Sequence, residues 1–324
     1  CEMTRTGIVV AQLGGPQNLD EVEPFIRAIF EDPLLVPLPG GPRTRATVSR
    51  LVARLRAPKV RSHYAAIGGG SPIIDTTQLQ ADALAAELAD RGHDVALAVA
   101  QRYSRPGTSS AVASMVSAGV ERIVLLPLFP QYSSSTTGSS EAELRRVMAK
   151  MAPDVELQVI RSWCDHPSYL DAQARLVDEM LGWMSAERAG RSLLVFSAHG
   201  LPEAIVDRGD PYIEEVDATV AGVVERLQHP IEHVIAYQSK AGPVKWVEPD
   251  VRDVVARAAD DGRTCLGIVP ISFVSEHVET LHELDIQLAE LAADAGIAEF
   301  HRSRCLDVDP ITGQVLADVV EEYL

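Results

Sequence analysis

The chain has 324 residues, of which 46% are hydrophobic and 23% charged, a composition typical of a globular protein with one large or two ordinary domains. Its formal net charge of −17 argues against nucleic acid as a partner, because phosphate binding needs clustered Lys and Arg. No apolar run approaches the roughly 20 residues that span a bilayer, and no secretory signal pattern is present, so we expect a cytoplasmic protein.

The four cysteines, Cys1, Cys164, Cys265 and Cys305, are far apart in the sequence and form no CxxC pair. A zinc or iron–sulfur site built from neighbouring thiolates is therefore not expected. Unpaired, scattered cysteines are typical of a reducing compartment. Cys265 begins an apolar run, which predicts a small core residue.

Short apolar runs alternate with helical patterns along the whole chain. The predicted strands cover residues 7–11, 95–99, 122–126, 157–160, 192–196, 232–237, 266–271 and 298–302. The predicted helices cover residues 78–90, 109–117, 140–151, 169–186, 211–227, 250–258, 274–293 and 311–323. Strands that alternate with helices predict an α/β protein with parallel sheets.

The number of strands bears on the domain organisation. Eight strands fit either two four-stranded units or an eight-stranded barrel. A long excursion over residues 15–77 follows the first strand, and this asymmetry favours two Rossmann-like lobes, each a four-stranded parallel sheet flanked by helices. We predict an N-terminal lobe over 1–165, a C-terminal lobe over 166–308, and a C-terminal helix over 309–324 that packs back on the first lobe.

Residues 20–62 combine an apolar lip with a basic segment. The lip includes Leu34 to Leu38, and seven Lys and Arg residues follow it between positions 43 and 61. In an acidic protein this segment is either a solvated helix face or a surface for a ligand with carboxylates or for a membrane.

Two polar clusters follow predicted strands of the second half. The apolar run 193–196 ends at Ser-Ala-His-Gly-Leu-Pro, which places His199 at the carboxyl end of a buried strand, where open α/β sheets bind ligands. The second cluster is Glu-His-Val-Glu at 276–279. A Gly-rich loop at 68–70 precedes a helix, but neither GxGxxG nor GxxxxGK[ST] is present, so we expect no nucleotide site.

Several motifs, in this order, resemble those of the ferrochelatase family, whose members insert ferrous iron into a porphyrin. The matching segments are Leu-Gly-Gly-Pro at 13–16, Tyr64 with 67–73, Gln-Arg-Tyr at 101–103, 130–140, 197–202, Gly-Asp-Pro-Tyr at 209–212, Gln-Ser-Lys at 238–240 with Trp246, and 269–285. Each is weak alone, but their joint order along nearly the whole chain is specific. The resemblance implies two Rossmann-like lobes with a porphyrin cleft between them.

The resemblance assigns the catalytic and metal-binding roles to His199 and Glu279. Metallation removes two pyrrole protons and supplies Fe²⁺, which needs a base and transient metal ligands, and imidazole and carboxylate serve both purposes. Which of the two residues is the base and which the ligand stays open at this point.

The resemblance also implies a proton or metal path along the helix that follows Phe273. Its members would be Glu276, His277 and Glu283, and Glu283 shares a helical face with Glu279 because the two are four residues apart. The next position on that face, Gln287, is neutral. His282 matches no motif, and we expect it at the surface.

Aromatic, apolar and polar side chains at motif positions are predicted to bind the porphyrin. These residues are Leu13, Arg56, Tyr64, Ser71, Arg102, Tyr103, Tyr132, Ser135, Trp246 and Phe273. Leu13 stands where family members that use coproporphyrin commonly have tyrosine, so the resemblance implies protoporphyrin IX as substrate.

The sequence lacks the cysteines that would hold an iron–sulfur cofactor. Some ferrochelatases hold a [2Fe–2S] cluster on a cysteine of the loop matching 133–135 and on a C-terminal cysteine group, but this loop is Ser-Ser-Ser and Cys305 is alone near the end. We therefore expect no cluster and no tightly bound cofactor, with porphyrin and Fe²⁺ as partners. A coproporphyrin III ferrochelatase, a chelatase for another metal or tetrapyrrole, and a haem-binding protein without activity are the alternatives.

Overall fold

The computed structural model describes residues 5–36, 41–183, 190–240, 242 and 244–324. The chain divides into two compact units, Cys1–Ser162 with Val308–Leu324, and Trp163–Asp307, which the structure describes over the ranges just given. Residues 37 and 38 of the apolar lip, 184–186 of a predicted helix, and Cys1 lie outside the described residues.

The first unit contains a four-stranded parallel sheet in the order β2-β1-β3-β4. The strands are β1 (Thr6–Gln12), β2 (Ala96–Gln101), β3 (Arg122–Pro127) and β4 (Glu156–Val159). Every residue of β1 is buried, as expected for a central strand with helices on both faces. The helices are α1 (Val22–Glu31), α2 (Pro42–Ala66), α3 (Ile73–Asp90), α4 (Thr108–Ser117) and α5 (Thr137–Met151).

The second unit repeats this plan with the order β6-β5-β7-β8. Its strands are β5 (Ser192–His199), β6 (His233–Gln238), β7 (Cys265–Val269) and β8 (Glu299–Arg302). Its helices are α6 (Pro167–Leu181), α7 (Glu203–Val206), α8 (Tyr212–Val224), α9 (Val251–Asp260), a π-helix (Glu279–Leu288) and α10 (Ala289–Asp294). The chain then returns to the first unit, where α11 (Thr312–Glu321) packs against α3.

The predicted fold class is confirmed, because the eight strands of the described residues form two separate parallel sheets of four. These separate sheets exclude the eight-stranded barrel. The helix over residues 279–288 differs from the prediction in type, since an α-helix was expected and a π-helix is observed. A ten-residue π-helix is unusual, because this conformation occurs mostly as a single turn, frequently at functional sites.

Among the residues that the structure describes, every helix is too short or too polar to span a bilayer.

Candidate active site

His199 is the last residue of β5, the strand between β6 and β7 in the second unit. Because the sheet is parallel, the carboxyl ends of all three strands lie at one edge, and His199 pairs with Gln238 at the end of β6. The chain turns at Gly200, where a Cβ atom would lie 2.8 Å from the Gln238 carbonyl oxygen. Glycine at this position therefore lets the two strand ends approach each other.

The imidazole of His199 is oriented by its own turn. Its Nδ1 lies 2.7 Å from the Gly200 carbonyl oxygen, to which an Nδ1–H donates. This hydrogen bond leaves Nε2 directed at Glu279, whose Oε1 is 3.6 Å away. The side chain of His199 is 36% exposed, so the imidazole is only partly covered by the protein.

The carboxylate of Glu279 is held between two histidines. Glu279 begins the π-helix, and its Oε2 lies 3.5 Å from His277 Nε2. The Phe273 ring packs beside both imidazoles, with ring centroids 6.4 Å from His199 and 4.7 Å from His277. The structure thus brings together four residues that the sequence predicted for the site.

The two charges of this cluster stabilise each other. Burial alone would lower the pKa of His199, but the negative charge of Glu279 raises that pKa to about 9. Burial opposes ionisation of Glu279, yet His199 holds the pKa of this carboxyl well below its usual range. Near neutral pH the pair is therefore an imidazolium and a carboxylate.

Glu283 is a second carboxylate of the same site. Its oxygens accept hydrogen bonds from the Ser239 backbone N–H at 2.7 Å and from Ser239 Oγ at 2.6 Å. Ser239 adopts a positive φ of 66°, an uncommon conformation for a residue with a side chain. Burial, together with the charge of Glu279, raises the pKa of Glu283, which makes it a better proton acceptor than an ordinary surface carboxylate.

Glu276 is engaged in a different network. One oxygen accepts from Arg302 Nη1 and the Cys305 backbone N–H, both at 2.9 Å, and the other accepts from Thr280 Oγ1 at 2.6 Å. Although burial opposes it, the Arg302 charge lowers the pKa of Glu276. These contacts are typical of a residue that stabilises the start of the π-helix. A role for Glu276 in a proton path stays a prediction.

Sequence reasoning missed several residues that position the site. Ser272 Oγ accepts from the His199 backbone N–H at 3.4 Å and lies 2.7 Å from the Tyr212 hydroxyl oxygen. Gln238 Nε2 donates to the Glu279 carbonyl oxygen at 3.1 Å. Tyr212 and Ser239 lie within the motifs of the resemblance, which was the available signal, whereas Arg302 matches no motif.

The expectation for His282 was wrong. This residue is 8% exposed, because the π-helix directs it into the unit rather than to the surface. Burial lowers the pKa of its imidazole, which favours the neutral form.

In the first unit, two predicted porphyrin-binding residues share a buried acidic partner. The Asp32 carboxylate accepts hydrogen bonds from Arg102 Nη2 at 2.5 Å, Tyr103 Oη at 2.8 Å and Ser139 Oγ at 2.6 Å. Burial opposes ionisation, but these donors hold the pKa of Asp32 below its usual value. Asp32, which no sequence pattern indicated, therefore fixes the positions of Arg102 and Tyr103.

The other predicted porphyrin-binding residues differ in accessibility. Tyr64 is only 3% exposed and belongs to the core, whereas Arg56 is an exposed residue of α2. The partly buried ones are Leu13, Ser71, Tyr132, Ser135 and Trp246. Within the second unit, Trp246 adjoins the turn at Gly200, where a Cβ atom would lie 3.4 Å from the indole ring.

Comparison with known proteins identifies relatives over the full length of the chain. The family model described as Ferrochelatase matches residues 5–324. Ferrochelatase from Geotalea daltonii is 42% identical over 317 residues, which cover 98% of this chain and 97% of that protein. Ferrochelatase from Synechococcus sp. strain JA-3-3Ab is 43% identical over 326 residues, which cover 99% of this chain and 94% of that protein.

Solved structures extend the similarity in fold. SirB from Bacillus subtilis with Fe³⁺ has a TM-score of 0.56 at 14% identity, and the match covers 99% of this chain and 95% of SirB. DR2241 from Deinococcus radiodurans has a TM-score of 0.55 at 13% identity, over 98% of this chain and 55% of that protein. At these identities the likeness concerns the fold alone.

Proposed function

Because the chain belongs to the ferrochelatase family, we propose that it inserts Fe²⁺ into protoporphyrin IX to form haem b, the last step of haem synthesis. The observation that carries this proposal is the His199–Glu279 pair at 3.6 Å, with Glu283 four residues further along the π-helix. The family match supports a metal chelatase that acts on a porphyrin, and the choice of iron and of protoporphyrin belongs to the proposal.

The proposed mechanism uses competition between a proton and a metal ion for one imidazole nitrogen. Metallation exchanges two pyrrole protons for one Fe²⁺, so the site must accept protons and hold a dication within the same small volume. In the resting pair Nε2 of His199 carries a proton. An approaching dication displaces that proton, and the neutral imidazole then offers its lone pair beside the Glu279 carboxylate.

Released protons need an acceptor near the pair. Glu283 fits this role because its pKa is raised by burial and by Glu279, and because Ser239 fixes both of its oxygens. We assign proton uptake to Glu283, which accepts the displaced imidazole proton and the two pyrrole protons one at a time and passes each to solvent, with His277 as the second imidazole on Glu279. The exposed Gln287 follows four residues later, so no third carboxylate continues this spacing.

Protoporphyrin IX is proposed over coproporphyrin III because Leu13 is apolar and because the apolar lip exposes Leu34, which suits a substrate with fewer carboxylates. Residues of the first unit, including Arg102 and Tyr103 on Asp32, are proposed to contact the macrocycle. Comparison of turnover numbers for the two porphyrins tests the choice, and a clear preference for coproporphyrin III would overturn it.

The proposal also covers cofactors and location. No [2Fe–2S] cluster is proposed, because the loop at 133–135 offers serines and Cys305 is not part of a cysteine group in the sequence. We propose a cytoplasmic protein that contacts the inner face of the cytoplasmic membrane through α2. This helix carries seven Lys and Arg and no Asp or Glu, with Leu51 and Leu55 exposed.

The deciding experiment measures iron insertion by the His199→Ala variant. We expect near-complete loss of turnover with porphyrin binding largely kept, because only the imidazole is removed. His233→Ala is the matched control, since His233 lies at the opposite end of the sheet, at the start of β6, and this variant should keep wild-type turnover. Retained iron insertion in His199→Ala would refute the proposed role of the histidine. Loss of porphyrin binding together with activity would instead assign His199 to the binding of the macrocycle.

A further inference from the structure

Three potential metal ligands lie on neighbouring strands at one end of the second sheet. Cys265 pairs with Glu299 in the register between β7 and β8, and His301 follows Glu299 by two positions. Side chains two residues apart on a strand point to the same face. Cys265, Glu299 and His301 therefore share a face, opposite that of Leu266, Ile268 and Phe300, which pack into the apolar core of this unit.

The ligand atoms of these three residues converge. Cys265 Sγ and His301 Nε2 each lie 3.6 Å from Glu299 Oε2, and all three atoms are within 4.8 Å of one another. Tetrahedral zinc, with Zn–S of about 2.3 Å and Zn–N or Zn–O of about 2.0 Å, places neighbouring ligand atoms about 3.3–3.5 Å apart. The two distances to Glu299 Oε2 lie within a few tenths of an ångström of these values, and Cys265 Sγ and His301 Nε2 are at most 4.8 Å apart.

His301 provides an independent indication of a ligand. Its Nε2 atom is buried and makes no hydrogen bond, although buried polar atoms are nearly always paired. The side chains of Glu299 and His301 are 21% and 25% exposed, so the cluster lies close to the protein surface. Cys265 is fully buried beneath them.

We propose that Cys265, Glu299 and His301 bind one Zn²⁺ ion, with a water molecule as the fourth ligand. The residue types support this choice, because thiolate, imidazole and carboxylate are the ligands that zinc accepts in proteins. Binding releases the Cys265 thiol proton to solvent and forms a bond from the thiolate sulfur to the ion, with no change of oxidation state.

This site is separate from the metallation site. Cys265 and Glu299 are the first residues of β7 and β8, whereas His199 is the last residue of β5. In a parallel sheet the first and the last residues of the strands lie at opposite ends of the strands, so the two sites are on opposite sides of the sheet's length. The ion would attach β8, a four-residue edge strand, to the inner strand β7, and so stabilise the folded unit by preferential binding.

The test uses Co²⁺ as a spectroscopic substitute for zinc, on a full chain carrying His199→Ala to weaken metal binding at the active site. A cobalt ion bound to a thiolate absorbs in the near ultraviolet by charge transfer, whereas His199 and Glu279 offer no sulfur. We expect one Co²⁺ equivalent to produce this band and Zn²⁺ to abolish it by displacement. Absence of the band at micromolar protein and metal would overturn the proposal.

Variants identify the ligands. Cys265→Ser should abolish the band, and His301→Ala, at a less buried position, should weaken Co²⁺ binding by at least about tenfold. Cys305→Ser is the matched control and should keep the band, because Cys305 is a buried cysteine outside the cluster. A band that survives Cys265→Ser, or His301→Ala binding that equals the parent, would exclude this site. These readouts do not depend on iron insertion, so they stand apart from the proposed function.

Discussion

At the scale of single residues, the site depends on how His199 and Glu279 change each other's charge. Sequence motifs predicted both residues, but they did not predict that Nδ1 binds the Gly200 carbonyl oxygen while Nε2 meets the carboxylate. This arrangement makes the imidazole a cation near neutral pH. The protonation state follows from two contacts that exist only in the folded chain.

The first prediction concerns Glu279→Gln. Burial lowers the pKa of His199, and the Glu279 charge raises it. Without that charge, the pKa of His199 should fall from about 9 by at least about one unit. Histidine titration by NMR, with the His199 signal assigned from His199→Ala, measures the change. Glu214→Gln, on an exposed position of α8, should leave the midpoint unchanged. An unchanged midpoint in Glu279→Gln would show that other groups set this pKa.

The same pair predicts a pH dependence of stability. Because the folded pKa of His199 lies above the unfolded value of about 6.5, its contribution is fully present below that value and is lost as the pH rises through about 9. The free energy of unfolding in urea should therefore fall over this range more steeply for the wild type than for His199→Ala. Parallel curves would contradict the assignment.

At the scale of elements, the π-helix and strand β8 are joined by a buried ion network. Arg302, at the end of β8, binds Glu276 before the π-helix and Asp285 within it. Their side chains are 11%, 14% and 34% exposed, so the network is largely screened from water. The network connects the π-helix with β8, and the hydrophobic periodicity of these two segments does not predict that they are in contact.

Arg302→Met should destabilise the protein by about 3 kcal/mol, because it leaves Glu276 as an uncompensated buried charge. Urea unfolding near neutral pH measures this loss. Since the pKa of Glu276 is lowered in the folded state, its contribution is lost as the pH falls through the folded value, and the difference between variant and wild type should shrink in acid. Arg304→Met, at a more exposed arginine, is the control and should cost well under about 1 kcal/mol.

Helix α2 carries the second prediction at this scale. Its exposed leucines, Leu51 at 59% and Leu55 at 72%, lie among basic residues. Replacing both leucines by serine should reduce sedimentation with anionic vesicles severalfold while leaving binding to neutral vesicles as weak as before. Leu79→Ser, at an exposed leucine of α3, is the control. Equal sedimentation of the double variant and wild type would remove α2 from the proposed membrane contact.

At the scale of the whole molecule, the net charge of −17 favours the approach of a cation. With porphyrin saturating, kcat/KM for Fe²⁺ should fall severalfold between about 20 and about 300 mM KCl, because the Debye length shortens. Sucrose at matched osmolarity should have no such effect. A kcat/KM independent of salt would show that the overall field does not guide the metal.

The order of elements, the parallel sheets and the motifs of the family can be predicted from local patterns in the sequence. These features are local, because a buried strand needs a continuous apolar run and a strand end needs small or turn-forming residues wherever it occurs. His199 could be identified for this reason, since the apolar run at 193–196 precedes it and Gly200 and Pro202 follow it, which marks the end of a strand. The family motifs added Glu279, whose place in the chain carries little local signal.

The contacts between distant residues depend on tertiary packing and could not be predicted from the sequence. Asp32 meets Arg102 and Tyr103, and Cys265 meets Glu299 and His301, through sheet register and packing across many tens of residues. The π-helix, the positive φ of Ser239 and the burial of His282 likewise arise from packing that no short window contains. Local patterns specify which residues must be buried, whereas pKa values and ligand geometry depend on which charged atoms are brought within a few ångströms.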